Sequence, residues 1–170
     1  LIDDVAVLEF VARRAREVRR VKVFAYGTVT KGLRGEDLTE MGLMAEAGAV
    51  AFTDGIKAVS NARVMLRALA YARAFNKVII QHPEEPRLAE GGVMNAGEIA
   101  TRLGLSGIPA AAETIMVERD LQLVELTGGR YHAGHISTAA AIERIRRAKG
   151  AGLPVTCDTA PPYFALNETA

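Results

Sequence analysis

Asp54, His82 and His135 are among the few side chains of this sequence able to hold a metal ion. Each follows a short apolar run: Ala49-Val50-Ala51-Phe52-Thr53, Lys77-Val78-Ile79-Ile80-Gln81 and Tyr131-His132-Ala133-Gly134. Such runs read as strands, and in a parallel α/β sheet the strand ends meet at one rim. Imidazole nitrogen and carboxylate oxygen are both zinc donors, so the three residues are expected to converge on a metal. His132, inside His132-Ala133-Gly134-His135-Ile136-Ser137-Thr138, adds a second histidine beside the third candidate.

Each candidate also has a plainer reading. An aspartate after a strand caps a turn, and an imidazole can end a strand as an ordinary hydrogen-bond partner. Asp158 reads as an acceptor for loop backbone, Cys157 as a small apolar group in the core, and Glu84, Glu85 and Glu90 as a solvated rim.

Strand and helix patterns alternate along the chain and would supply that rim. Strands are expected over Val21-Lys22-Val23-Phe24-Ala25-Tyr26, from Ala49, from Lys77, from Arg130, and over Pro154-Val155-Thr156-Cys157. The first two intervals are equal and each suits one βα unit. The third is about twice as long and holds a Gly- and Pro-marked excursion from Gly91-Gly92 to Gly107-Ile108-Pro109, read as a loop inserted at the rim. Asp37 with Glu40 predicts a capping box ahead of Met41, with Gly48 ending that helix. Asn61 predicts a cap for 62–75, Gly128-Gly129 the end of 110–127, and Ser137 a cap for the helix running toward Ala148. The fold class is therefore α/β, either an open doubly wound sheet or part of a (β/α)8 barrel. Gly27-Thr28-Val29-Thr30-Lys31-Gly32-Leu33-Arg34-Gly35 lacks the spacing of a dinucleotide or phosphate loop and is read as a sharp turn.

Composition narrows the possible classes. The 170 residues are 49% hydrophobic and 24% charged, which suits one ordinary globular domain. The formal net charge is +1, with 21 basic against 20 acidic residues, so no partnership with nucleic acid or a membrane surface is expected. The basic run 13–20 reads as the solvated face of an amphipathic helix whose other side carries Val7, Leu8, Val11 and Val18; a nucleic-acid arm is the alternative. A lone cysteine and the absence of a signal-like start point to the cytoplasm. The start without methionine fits processing or a segment of something longer.

Three stretches taken together resemble class I dihydroorotase of the amidohydrolase superfamily. They are Gly27–Gly35, Glu46-Ala47-Gly48-Ala49-Val50-Ala51-Phe52-Thr53-Asp54-Gly55, and Gln81-His82-Pro83-Glu84-Glu85-Pro86. Gly107-Ile108-Pro109 with Ala112-Glu113, Arg119-Asp120-Leu121, Tyr131–Thr138 and Gly152–Thr156 extend the resemblance over nearly the whole chain. It implies a (β/α)8 barrel, about five of its βα units visible here, that interconverts N-carbamoyl-L-aspartate and L-dihydroorotate using one or two Zn2+ ions. By the same resemblance Asp54, His82 and His135 bind metal, and His132 and Ser137 support the site. It also implies a homo-oligomer and a possible partner in aspartate carbamoyltransferase.

The family's His-x-His pair, its nearby substrate-binding arginine and its late general-base aspartate have no counterpart here. The chain 1–170 is accordingly expected to be the central part of a longer barrel. Gly55 stands where many members have a second aspartate, and Pro162-Tyr163 where they have two histidines. Those departures keep a silent structural homologue open; a hydantoinase or allantoinase is a further alternative, weakened because no lysine stands at the Asp54 position to bridge metals.

Overall fold

The computed structural model describes residues 1–55 and 57–167. Five strands form one parallel sheet: β1 (Tyr26–Gly27), β2 (Ala51–Thr53), β3 (Val78–Gln81), β6 (Arg130–Ala133) and β7 (Val155–Cys157), in the order β1-β2-β3-β6-β7. Between β3 and β6 the chain makes a second, two-stranded parallel sheet from β4 (Met94–Asn95) and β5 (Gly107–Ile108). The helices are α1 (Val5–Val18), α2 (Met41–Glu46), α3 (Ala62–Ala74), α4 (Pro86–Ala89), α5 (Glu98–Leu103), α6 (Ala111–Thr127), α7 (Ala139–Gly150) and α8 (Pro161–Ala165). Each step along the main sheet is a parallel crossover, the topology of a (β/α)8 wall.

Alternation along each strand decides which face is filled. Phe52, Ile79, Tyr131 and Val155 are buried and pack with Met65, Leu69, Val117, Val124 and Ile145 from α3, α6 and α7. On the other face, Ile80 and His132 are half-buried and Thr156 is exposed, paired as Ile80↔His132↔Thr156 across β3, β6 and β7. One side of this sheet is thus a packed helix-covered core, and the other is an open surface carrying polar groups.

Several sequence expectations shift in three dimensions. Val21–Ala25 is not strand: the ladder to β2 exists only opposite Ala51 and Phe52, and Val21 and Phe24 are more than 70% exposed. Asp37 does not cap α2, because Thr30↔Leu38 bridging and the Lys31 N–H bond to the Asp37 carbonyl hold that stretch extended; Glu40 is the N-cap and its side chain makes no cap bond. Thr138, not Ser137, is the N-cap of α7: its hydroxyl accepts the Ala141 N–H while donating to Glu113, as the Ser137 hydroxyl also does. Cys157 is exposed rather than packed, on the last strand of the sheet. The strands β4 and β5 are two residues each, too short for any periodic signal. On α1 only Leu8 is buried, so Val7 and Val18 remain exposed together with the solvated arginines.

Asn61 caps α3 as expected, its Oδ1 accepting from the N–H groups of Arg63 (3.0 Å) and Val64 (3.3 Å). Asn61→Ala should lower the stability of the protein by about 1 kcal/mol with little change in denaturant sensitivity, measured by urea unfolding.

Candidate metal centre and rim cleft

At the C-terminal rim of the sheet, His82 follows β3 and His135 follows β6. The rim brings their imidazoles together, with ring centroids 5.5 Å apart and planes tilted by 59°. His82 Nδ1 is buried and has no hydrogen-bond partner among the described residues. An unpaired buried ring nitrogen is costly. On a ring beside a second imidazole, it fits the donor set of a divalent metal such as zinc.

Asp54 follows β2 and is hydrogen-bonded through both carboxylate oxygens. Its Oδ1 accepts from the N–H groups of Val29 (2.8 Å) and Thr30 (3.0 Å), and Oδ2 accepts from the Thr30 hydroxyl. Burial raises the carboxyl above its ordinary value, against the hydrogen bonds from Thr30 and Val29 and the charge of Lys57. The carboxylate therefore anchors the loop after β1, where Gly32 and Gly35 take positive φ. Among the described residues, no group of three or more His, Cys, Asp or Glu side chains is gathered as a metal site. Two of the three sequence candidates meet, and the third secures a neighbouring loop.

His132 and Ser137 each bond a carboxylate next to the His135 turn. His132 Nε2 donates to Asp158 Oδ2 (3.0 Å), with Nδ1 2.7 Å from Thr156 Oγ1. Asp158 also accepts the His135 N–H at Oδ1 (2.5 Å). Burial works against ionisation of Asp158, but the bonds from His132 and His135 prevail and hold its carboxyl below the ordinary value. The Ser137 hydroxyl and N–H both donate to Glu113 Oε2, at 2.8 and 2.9 Å.

Around the two histidines lies a cleft of about 570 Å3, within the range of small-molecule sites. Glu113 and His135 line one part, Met94 and Ile108 of the β4–β5 sheet another, and Tyr163 of α8 a third. The inserted excursion after β3 is thus a wall of the cleft. Pro162 and Tyr163, one of the departures from the family pattern, also line it.

Beneath the rim lies a polar cluster that sequence patterning does not reveal. Asp120 is fully buried and accepts from Arg119 Nε (2.9 Å) and Nη2 (2.6 Å), Gln81 Nε2 (2.5 Å) and the Tyr131 hydroxyl (2.8 Å). Gln81 Oε1 accepts the Val59 N–H (2.8 Å), and Arg119 reaches the Val59 and Ser60 carbonyls. The cluster joins the end of β3, immediately before His82, to the loop that follows Asp54. Burial raises Asp120 above its ordinary value, opposed by Arg119 and by the hydrogen bonds from Tyr131 and Gln81. Burial and the Asp120 charge push Tyr131 well above its ordinary value. The only sequence signal is an Arg-Asp pair on an otherwise mixed helix.

Because Tyr131 stays protonated longer when folded than when unfolded, its contribution is complete below the ordinary tyrosine value and is lost as pH rises past it. Thermal melts should therefore show stability falling above about pH 10, with a shallower fall in Tyr131→Phe. Asp120→Ala removes the shared acceptor of Arg119, Gln81 and Tyr131, leaving a mostly buried guanidinium without its counter-charge, and should cost about 3–5 kcal/mol in equilibrium unfolding.

Comparison with known proteins agrees with this architecture. A family model described as dihydro-orotase-like matches residues 3–141. The dihydroorotase of Syntrophobacter fumaroxidans is 50% identical over 166 residues, 98% of this chain and 38% of its own length. That of Solibacter usitatus is 48% identical over 164 residues, with 96% and 38% covered. The chain thus spans about two fifths of the length of the curated relatives it matches. Among solved structures, L-hydantoinase (dihydropyrimidinase) of Arthrobacter aurescens aligns with a TM-score of 0.65 at 22% identity, covering 92% of this chain and 37% of that one. Dihydropyrimidinase of Brevibacillus agri aligns at 0.59 and 20% identity, covering 86% and 33%.

Proposed function

This chain belongs to the dihydroorotase-like family, and from that premise we propose that it is the central part of a dihydroorotase. The proposed reaction is the reversible cyclisation of N-carbamoyl-L-aspartate to L-dihydroorotate in pyrimidine synthesis, in the cytoplasm. The observation that carries the metal reading is the unpaired, buried Nδ1 of His82, whose ring lies beside that of His135 in the lining of the cleft. His82 and His135 would hold one or two zinc ions. Asp54, whose Oδ2 accepts one bond from the Thr30 hydroxyl, would join them through a remaining lone pair. When bound, such an ion supplies Lewis acidity that polarises an amide carbonyl.

The protein's own groups support that centre. His132 and Asp158 hold the backbone and rings of the β6 and β7 ends in place, and Ser137 ties the turn after His135 to α6. The remaining ligands and the general-base aspartate are proposed to lie in the portions of the relatives that this chain does not span. The cleft is sized for a small-molecule substrate. A homo-oligomeric assembly is also proposed.

A second reading rests on the occupied Asp54 carboxylate and on Pro162 and Tyr163 at the cleft: a silent homologue that supports aspartate carbamoyltransferase. Zinc content and dihydroorotate turnover of the intact protein separate the two. The enzyme reading expects both, and expects His82→Ala and His135→Ala each to lower zinc affinity by about tenfold or more and to remove turnover. Association with the carbamoyltransferase without turnover supports the silent homologue. Turnover of hydantoin or allantoin in place of dihydroorotate overturns the substrate assignment.

A further inference from the structure

Both histidine loops are mounted on the first turn of α6. The Ala112 carbonyl accepts the Glu85 N–H (2.8 Å), three residues after His82. The next residue, Glu113, takes four hydrogen bonds from the turn after His135. Its Oε2 accepts the Ser137 N–H (2.9 Å) and hydroxyl (2.8 Å), and its Oε1 accepts the Thr138 N–H (3.0 Å) and hydroxyl (2.5 Å). From the other side, Asp158 accepts the His135 N–H and its carbonyl accepts the Ile136 N–H (2.9 Å).

What these two carboxylates hold between them is unusual backbone. His135 has φ +61°, a left-handed conformation that a side chain with a Cβ rarely adopts. Such a residue keeps its conformation only where its surroundings impose it. Here the N–H groups at 135 and 136 are fixed by Asp158, and those at 137 and 138 by Glu113. The direction in which His135 projects is thereby set relative to α6, the helix that also carries the His82 loop.

We infer that Glu113 is a positioning residue that sets the His135 imidazole against His82, an assignment that rests on the two-histidine metal centre proposed above. It acts through backbone and hydroxyl groups, not by touching the ion. Carboxylate geometry suits the task, since two oxygens bind two adjacent N–H and O–H pairs at once. Glutamine offers one oxygen for the same four donors and so retains part of the restraint.

The test uses the intact protein and its Glu113→Ala, Glu113→Gln and Glu118→Ala variants. Glu118 pairs with Arg144 and joins the same two helices away from the His135 turn, so it controls for helix docking alone. Two quantities are measured: zinc affinity, and the magnetic cross-relaxation between the His82 and His135 rings in the metal-free protein. The expected result for Glu113→Ala is a loss of about tenfold or more in zinc affinity and loss of the ring-to-ring signal. Glu113→Gln should be intermediate and Glu118→Ala unchanged.

Parental affinity and an intact ring signal in Glu113→Ala overturn the inference, as does an equal loss in Glu118→Ala. If Glu113→Ala fails to fold, the same two measurements on Glu113→Gln decide, with parental values counting against it. If His82→Ala and His135→Ala leave zinc binding unchanged, the metal reading itself fails. The ring signal in the metal-free variants then still decides what Glu113 does.

Discussion

Loops leaving the C-terminal ends of parallel strands carry N–H groups that no ladder pairs, and in this protein carboxylates take them. Asp54 accepts from Val29 and Thr30, Asp158 from His135, and Glu113 from Ser137 and Thr138. Leaving such donors unpaired near the protein interior would cost a few kcal/mol each, which is why the rim is not free to take arbitrary shapes. Because each acceptor sits on a different element from the loop it holds, the contacts also fix the elements against one another. The placement of His135 follows from these bonds.

The same interaction explains why residues of one chemical type do different work. Asp54 and the two histidines all stand at strand ends and all belong to zinc's usual donor set. Asp54 spends both oxygens on the neighbouring loop, whereas His82 keeps a buried ring nitrogen with no partner among the described residues. Deeper down, Asp120 takes four bonds from Arg119, Gln81 and Tyr131 and locks the base of the His82 loop. A buried ion pair of this kind contributes little net stability over apolar packing, but it fixes one arrangement of its neighbours while every member is paired.

The open face of the sheet and the exposed apolar side chains of α1 and 21–24 belong to the same picture. Phe10, Val18, Val21 and Phe24 are exposed in the described residues, and the chain spans about two fifths of the length of its curated relatives. A parallel sheet is ordinarily covered on both faces. Here α3, α6 and α7 cover one, and the polar positions His132 and Thr156 lie on the other.

Much of the fold was legible because hydrophobic period and capping are local. The strands at Ala51, Val78, Arg130 and Val155, the Asn61 cap and the Gly128 helix end all follow from neighbours within a few residues. The ordered motifs also carried the family. Tertiary contacts decided what local signals misread: Glu113, from another helix, takes both the Ser137 and the Thr138 hydroxyls at the turn where Thr138 caps α7, and the strand expected from Val21 shrank to the residues that β2 faces. The sequence by itself determined which residues stand at strand ends. Which of them meet was settled only when distant carboxylates chose their donors, since a hydrogen bond depends on position in space and leaves no trace in spacing along the chain.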